Sequence, residues 1–342
     1  TLVNDAYNAN PQSALAAIDV LTQMPCRGQR IAVFGEMREL GAHSAALHQR
    51  VAEHLRRSGI ARVLLVGGSN VAFGLQSPIL ERELGLPVVN MGLVAGLGPG
   101  FLLNEVAWAI GAGDIVILSF EESMLGATDH ILHQRQLLEY RPASWWFCPR
   151  DRRIDILLDH GLALAGGIVR RSIGFPQTPE VREPPKFPYV RDGFNAWGDY
   201  VLHHGSPFRL DQAPSESPLR TPTHVPAFSP RLRERLEDFV RLCHERGARI
   251  CYTFPPRPES HWPAQRAAID RVVSKLRTLA GLELLDEPAD HVYGIGLFSD
   301  TADHLTEEGG RLRSVKVAGR LKGGEEPGPS IAPFRRFAPR RP

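Results

Sequence analysis

The sequence predicts an α/β protein with a doubly wound parallel sheet. Short apolar segments of strand type, such as residues 30–34, 61–66, 114–118 and 250–254, alternate with longer segments whose apolar residues recur at helical spacing, such as residues 99–110, 231–246, 263–279 and 306–321. Strands separated by helices pair in parallel and are covered by helices on both faces. In such a sheet the loops that carry chemistry lie at the carboxyl ends of the strands.

Composition excludes several classes of protein. The 342 residues are 43% hydrophobic and 23% charged, and 40 Lys+Arg balance 38 Asp+Glu to a net charge of +2. This length allows two domains, and the near-neutral balance argues against a nucleic-acid partner, which normally requires a basic face. No run of 18 apolar residues predicts a membrane span. The four cysteines form no CxxC pair, so free thiols are expected, and no metal site is predicted.

Two stretches depart from this regular pattern. Eleven of the 28 prolines fall in residues 176–230, where helical and strand periodicity lapse, so an irregular insertion is predicted there. Residues 323–342 lack periodicity and carry four arginines, which predicts a disordered basic tail. The chain begins at Thr1 in strand-like sequence without a signal peptide. We therefore expect a part of a longer protein that stays in the cytoplasm.

A serine follows the buried strand at residues 61–66. The sequence Gly67-Gly68-Ser69-Asn70 would let the Ser69 hydroxyl project from the sheet edge while backbone N–H groups remain available for an oxyanion. Such a residue arrangement predicts a nucleophile. The same four residues are equally typical of a simple turn, which remains the alternative.

An acid and a histidine precede the last predicted helix. His304 could accept the proton of Ser69, and Asp300 could fix the histidine tautomer, with Asp303 as the rival orienting group. The alternative is an aspartate that caps the helix beside a surface histidine. Between these segments, Gly92 follows a further strand and offers a backbone N–H to an oxyanion.

These segments, in this order, resemble the SGNH (GDSL-type) hydrolase superfamily, and within it the branch related to acyl transfer on bacterial envelope polymers. The segments that carry the resemblance are residues 67–70, 88–98, 103–105, 113–116, 193–199, 254–256 and 300–304. The resemblance covers residues 61–322 and implies a flavodoxin-like sheet, Ser69 as nucleophile and Asp300 and His304 as its partners. It also implies Gly92 and Asn70 as oxyanion donors, a small-molecule or polysaccharide ester as substrate, and no cofactor.

One position departs from that superfamily. Where typical members have Gly-x-Asn-Asp, this chain has Ser119-Phe120-Glu121-Glu122. The missing asparagine normally completes the oxyanion hole, and the loss of one such donor costs about 3 kcal/mol of transition-state stabilisation.

The N-terminal segment indicates a different chemistry. Residues 4–13 and 30–41 resemble the C-terminal domain of a Mur ligase, and within that family the branch that adds D-alanyl-D-alanine to UDP-N-acetylmuramoyl-tripeptide. The resemblance covers residues 1–66, with Glu36 where the family has Asp. It implies a partial Rossmann-like segment with contacts to ATP, and Mg²⁺ as a second cofactor. The implied contacts are Asp5, Tyr7, Asn8 and Asn10.

No phosphate-binding loop of the Gly-x4-Gly-Lys-Ser/Thr type occurs in the chain. Ligation would therefore need upstream Mur-ligase domains as partners, and the alternative for this junction is a helix cap without activity. The leading expectation is thus an SGNH-type esterase or acyl-transfer domain at residues 61–322, fused to a truncated Mur-ligase segment at residues 1–66. The alternatives are a Mur-ligase fragment of peptidoglycan precursor synthesis and a catalytically inactive binding module.

Overall fold

The computed structural model describes residues 10–24, 44–58, 61–126, 131–172, 190–206, 209–213 and 224–323. The predictions for residues 1–9, for a strand at residues 30–34 and for the tail beyond residue 323 lie outside these ranges, as does much of the predicted insertion. Among the described residues, no helix is both long and apolar enough to cross a bilayer.

Two helices precede the sheet. α1 (Pro11–Gln23) begins as its sequence predicts, because the Asn10 side chain accepts hydrogen bonds from the backbone N–H groups of Gln12 and Ser13 and proline occupies the first helical position. α2 (Ser44–Arg57) packs against it. The apolar contact is formed by Ala14, Ile18 and Val51, which are all buried.

The predicted α/β class with a parallel sheet is confirmed. The strands are β1 (Val63–Gly67), β2 (Val88–Asn90), β3 (Ile115–Ser119), β4 (Arg249–Tyr252), β5 (Arg257–Pro258), β6 (Glu283–Leu284) and β7 (Val292–Tyr293). Five of them form one sheet in the order β2-β1-β3-β4-β6, with every pair parallel. β5 and β7 form a separate parallel pair.

Helices cover both faces of this sheet. The helices that follow β1 are α3 (Ser69–Gly74), α4 (Ser77–Leu84), α5 (Pro99–Ala107), α6 (Ile131–Tyr140), α7 (Arg150–Ser172), α8 (Pro230–Glu245), α9 (Trp262–Leu276) and α10 (Glu307–Leu321). Leu64 and Val66 of β1 lie in a core shared with α5, α8 and α9, whereas Val63 and Leu65 lie in a second core shared with α4 and α10. Alternate residues of one buried strand thus point into two cores.

The sequence pattern does not predict four of these helices, namely α3, α4, α6 and α7. At residues 67–70 the sequence indicates a turn, whereas the structure continues from Gly68 directly into α3, which is only six residues long. α7 is 23 residues long, but glycines at positions 161, 166 and 167 weaken its helical signal. Tertiary packing decides both elements, which is why local pattern does not indicate them.

Part of the predicted insertion is fixed to the sheet by a buried aspartate. The Asp199 carboxylate accepts hydrogen bonds from the Ser77 hydroxyl, the Asn90 amide and the Asn195 amide. The neighbouring Gly198 has φ of +95°, and a Cβ placed on it would lie 2.1 Å from the backbone oxygen of Asn90. The loop therefore reaches the sheet edge only because this residue is glycine.

Gly198→Ala is expected to lower the free energy of unfolding by at least about 2 kcal/mol, because the added methyl group meets strand backbone and the positive φ is unfavourable for alanine. Urea-induced unfolding followed by circular dichroism measures the change. Gly205→Ala is the matched control, since a Cβ there meets nothing within 4 Å. Equal stabilities of the two variants would contradict this account of the loop.

Candidate functional site

The candidate site lies at the carboxyl ends of β1 and β3, where two glycines allow close approach. A Cβ on Gly67 would lie 2.0 Å from the backbone oxygen of Ser119, and one on Gly68 would lie 2.2 Å from Oε2 of Glu121. Gly67 therefore requires glycine for space, whereas a Cβ on Gly68 would displace the Glu121 carboxyl group, and the turn brings the start of α3 against the residues that follow β3.

Ser69 begins α3 and its side chain contacts Glu121. The Ser69 hydroxyl donates to Oε1 of Glu121 at 3.2 Å, and the backbone N–H of Asn70 donates to the same oxygen at 2.8 Å. A hydroxyl carries one hydrogen. The bond to Glu121 therefore uses the proton that His304 would have to accept if Ser69 were to act as a nucleophile.

Glu121 is buried, with only 2% of its surface exposed. Burial raises the pKa of its carboxyl above the usual range for glutamate, against the opposing effect of the Asn70 backbone hydrogen bond. Within the described part of the chain its second oxygen, Oε2, has no hydrogen-bond partner. A neutral carboxylic acid avoids the large cost of an incompletely solvated charge at this place.

His304 and Asp300 are brought together as the sequence analysis expects. Nδ1 of His304 lies 2.8 Å from Oδ1 of Asp300, and the imidazole stacks on the ring of Phe73 with centroids 3.9 Å apart. Burial acts to raise the pKa of Asp300, but the hydrogen bond and charge of His304 lower it overall. For Asp303, burial and then the charge of Glu122 raise the pKa well above its usual range.

The two expected oxyanion donors have internal acceptors. The Gly92 N–H donates to Oδ1 of Asn90 at 2.9 Å. The Asn70 side-chain amide donates to the backbone oxygen of Ser119 at 3.1 Å, while its backbone N–H donates to Glu121. These donors stabilise the turn itself, and a ligand oxygen would have to displace the internal acceptors to reach them.

The sequence analysis missed the residue that connects these segments, Arg313 of α10. Its side chain is fully buried and donates hydrogen bonds to the turn after β1 and to the ends of β3 and β4. The acceptors are the Asn70 backbone oxygen at 2.8 Å, Oδ1 of Asn70 at 3.0 Å, Oγ of Ser119 at 2.9 Å and the Phe254 backbone oxygen at 3.1 Å. Burial lowers its pKa to about 10. The sequence signal that could have identified Arg313 as buried is its spacing: it lies four residues after Gly309 and four before Val317, on the buried face of α10.

A second arginine, also missed, is paired with Glu122. The Arg257 guanidinium lies 2.8 Å from Oε1 of Glu122, and both side chains are buried. The two adjacent glutamates therefore have different electrostatic environments, since Glu122 faces a cation and Glu121 faces a hydroxyl and a backbone N–H.

Of the four residues expected near ATP, the structure describes one. Asn10 caps α1 through its side-chain oxygen, as the alternative of a helix cap predicts, whereas Asp5, Tyr7 and Asn8 lie outside the described residues. In the ranges that the structure describes, no group of three or more His, Cys, Asp or Glu residues could hold a metal ion. The assignment of all these individual residues to catalysis or to ATP contact stays a prediction.

The N-terminal part of the chain is similar to a known family of proteins. The model of the family "Mur ligase, glutamate ligase domain" matches residues 1–94. The match continues beyond residue 66 and includes Ser69 and Gly92, the segment in which the hydrolase resemblance begins.

Individual relatives agree with this match. The chain is 46% identical over 81 residues to the UDP-N-acetylmuramoyl-tripeptide–D-alanyl-D-alanine ligase of Escherichia coli, which is 24% of this chain and 18% of that enzyme. It is 29% identical over 146 residues to the ligase of the same name from Mycobacterium leprae, 39% of this chain and 27% of the relative. It is 39% identical over 66 residues to that of Rickettsia prowazekii, 19% and 14% respectively. The chain thus matches only a small part of each relative's length.

The expectation that the chain functions mainly as an SGNH-type hydrolase is wrong. The similarities point to Mur ligases, and none of them supports a hydrolase segment. The contacts give a physical reason for the false signal. Glu121 stands in the segment where the hydrolase resemblance requires an asparagine, and its Oε1 accepts the hydrogen bond of the Ser69 hydroxyl. The ester substrate and the absence of a cofactor that this expectation implied are withdrawn with it.

Glu121→Gln is expected to be more stable than the unmodified chain at neutral pH. Because burial raises the pKa of Glu121, the folded state keeps its proton at pH values where the unfolded chain has lost it, and stability falls as pH rises above the usual glutamate range. Each unit between the two pKa values corresponds to about 1.4 kcal/mol. The stability difference, measured by urea unfolding, should be small in acid and grow with pH.

Glu122→Gln is the matched control. This change removes the carboxylate that faces buried Arg257, so it should destabilise the fold by about 3 kcal/mol at neutral pH. A Glu121→Gln variant that loses stability as Glu122→Gln does, or whose advantage does not grow with pH, would show that Glu121 is ionised in the folded protein.

Proposed function

We propose that residues 1–94 perform the role of a Mur-ligase C-terminal region in the ATP-dependent joining of D-alanyl-D-alanine to UDP-N-acetylmuramoyl-tripeptide. The observation that supports this proposal is the family match over these residues together with relatives that share this one activity. A ligase of this kind forms an amide bond between a carboxyl group of the tripeptide and the amine of the dipeptide. Such a ligase would act in the cytoplasm, where nucleotide-linked precursors are made.

This chain contains residues for only part of the proposed ligase reaction. The sequence contains no phosphate-binding loop, and the described residues form no cluster that could hold Mg²⁺. We therefore derive no chemical step through ATP from this chain, and we propose that the remaining ligase domains supply the phosphate and metal contacts. Asp5, Tyr7, Asn8 and Asn10 are proposed to approach the nucleotide from the side of this segment.

The position of Asn10 is compatible with such a role. Its side-chain oxygen fixes the first turn of α1, and the Ser13 hydroxyl accepts from the Asn10 backbone N–H, so the capping contacts hold the junction between the preceding loop and the helix in one conformation. A rigid junction can present the preceding polar side chains to a ligand with little loss of entropy on binding.

A chimera tests the proposal. Residues 1–94 of this chain replace the aligned region of the E. coli relative, and phosphate release is measured with ATP, UDP-N-acetylmuramoyl-tripeptide and D-alanyl-D-alanine. We expect release that requires both cosubstrates, and none from the unmodified chain by itself. Asn8→Ala in the chimera should lower the rate at least about tenfold, as expected for one lost polar contact to a charged ligand.

Gln12→Ala is the control substitution, because Gln12 is exposed on α1 and its side chain is not among the proposed ATP contacts. It should leave the rate unchanged, and thermal unfolding should show that all chimeras are folded. A folded chimera without phosphate release would refute the proposed function. Equal rates for the Asn8→Ala and Gln12→Ala variants would refute the assignment of Asn8.

A further inference from the structure

α7 presents an apolar stripe to solvent rather than to the core. Ile154, Leu158, Ala165 and Val169 are exposed and follow one another at spacings of 4, 7 and 4 residues, so that they lie on one side of the helix. Leu158 is 79% exposed. Ile156 points to the opposite side and is fully buried in the main core.

The exposed stripe covers much of α7, since residues 154–169 span about 22 Å of this 23-residue helix. Beside its first turn lies Trp146, which is 64% exposed, and the Arg153 guanidinium stacks over its ring at 5.4 Å and donates to its backbone oxygen. Exposed apolar residues arranged in one stripe indicate an interaction surface, whereas scattered ones do not.

Charge favours an anionic partner for this surface. α7 contains five arginines against three aspartates, with arginines in its first four residues and again at positions 170 and 171. Two of the aspartates are paired in the structure, Asp155 with Arg152 at 3.0 Å and Asp151 with Arg235 of α8 at 3.3 Å. Arg231 of α8 also pairs with Asp151, so two arginines of α8 lie beside the first turn of α7.

The same charges disfavour a second copy of the chain as the partner. If two α7 helices packed through their stripes, each arginine-rich end would lie against an arginine-rich end of the other helix, in either direction. Like charges in contact oppose association. An apolar stripe between basic ends is instead typical of a helix that lies in the interface of an anionic bilayer.

We propose that α7 docks this protein on anionic lipid surfaces, with Leu158 and its neighbours in the acyl boundary and the arginines of its first turn at the headgroups. The helix lies along the surface and does not cross the bilayer. Arginines near an anionic surface each add an attraction that weakens as salt is raised. This role is independent of the ligase activity proposed above.

Vesicle co-sedimentation of the full chain tests the proposal, with vesicles of phosphatidylglycerol and phosphatidylcholine compared with vesicles of phosphatidylcholine alone. We expect binding to the anionic vesicles that declines with salt, and much weaker binding to the others. Leu158→Ser should weaken binding about tenfold, because a leucine is removed from the acyl boundary. Leu202→Ser is the matched control, because Leu202 is also more than half exposed but lies in another part of the chain.

Both variants retain the arginines that follow residue 334, so binding through those residues would be common to both. The proposal is overturned if the chain does not bind anionic vesicles, if Leu158→Ser binds as the unmodified chain does, or if Leu202→Ser weakens binding equally. A concentration-dependent dimer that Leu158→Ser abolishes, without vesicle binding, would identify a second copy as the partner instead.

Discussion

The buried guanidinium of Arg313 is the contact on which the carboxyl edge of the sheet depends. It joins α10 to the turn after β1, to the end of β3 and to Phe254, two residues beyond β4, through four hydrogen bonds. A buried charge is costly unless its donors are hydrogen-bonded; both terminal nitrogens of Arg313 are, whereas its Nε has no partner among the described residues. The three strand ends and α10 must therefore keep their relative positions, because Arg313 would otherwise lose hydrogen bonds while it remains buried.

The neighbouring polar residues at this edge are also hydrogen-bonded to one another. Asn70 accepts from Arg313 and donates to Ser119, Gly92 donates to Asn90, and Ser69 donates to Glu121. Each of these groups has the chemical type that catalysis at a sheet edge would use. In this fold they stabilise one another, so residue type and strand-end position do not distinguish a catalytic edge from a structural one.

The sequence predicts the sheet well because buried strands form continuous apolar runs. β1, β3 and β4 and the helices α5, α8, α9 and α10 were expected from that pattern, and α10 begins after the cap residue Thr306. By contrast, α3 and α7 depend on tertiary contacts and on glycines that suit several conformations. The pairing of His304 with Asp300 followed from their spacing, whereas the contact of Ser69 with Glu121 joins residues 52 positions apart and has no local signal.

The central claim is that the polar groups at this edge are engaged with one another and are not arranged for serine catalysis. Treatment of the intact chain with a fluorophosphonate, followed by mass spectrometry of the peptide that contains Ser69, tests this claim most directly, with an authentic serine esterase as the positive control. The account predicts an unmodified peptide, because the Ser69 hydroxyl is bound to Glu121 and the nearby N–H donors have internal acceptors. Stoichiometric labelling of Ser69 that disappears in Ser69→Ala would contradict it.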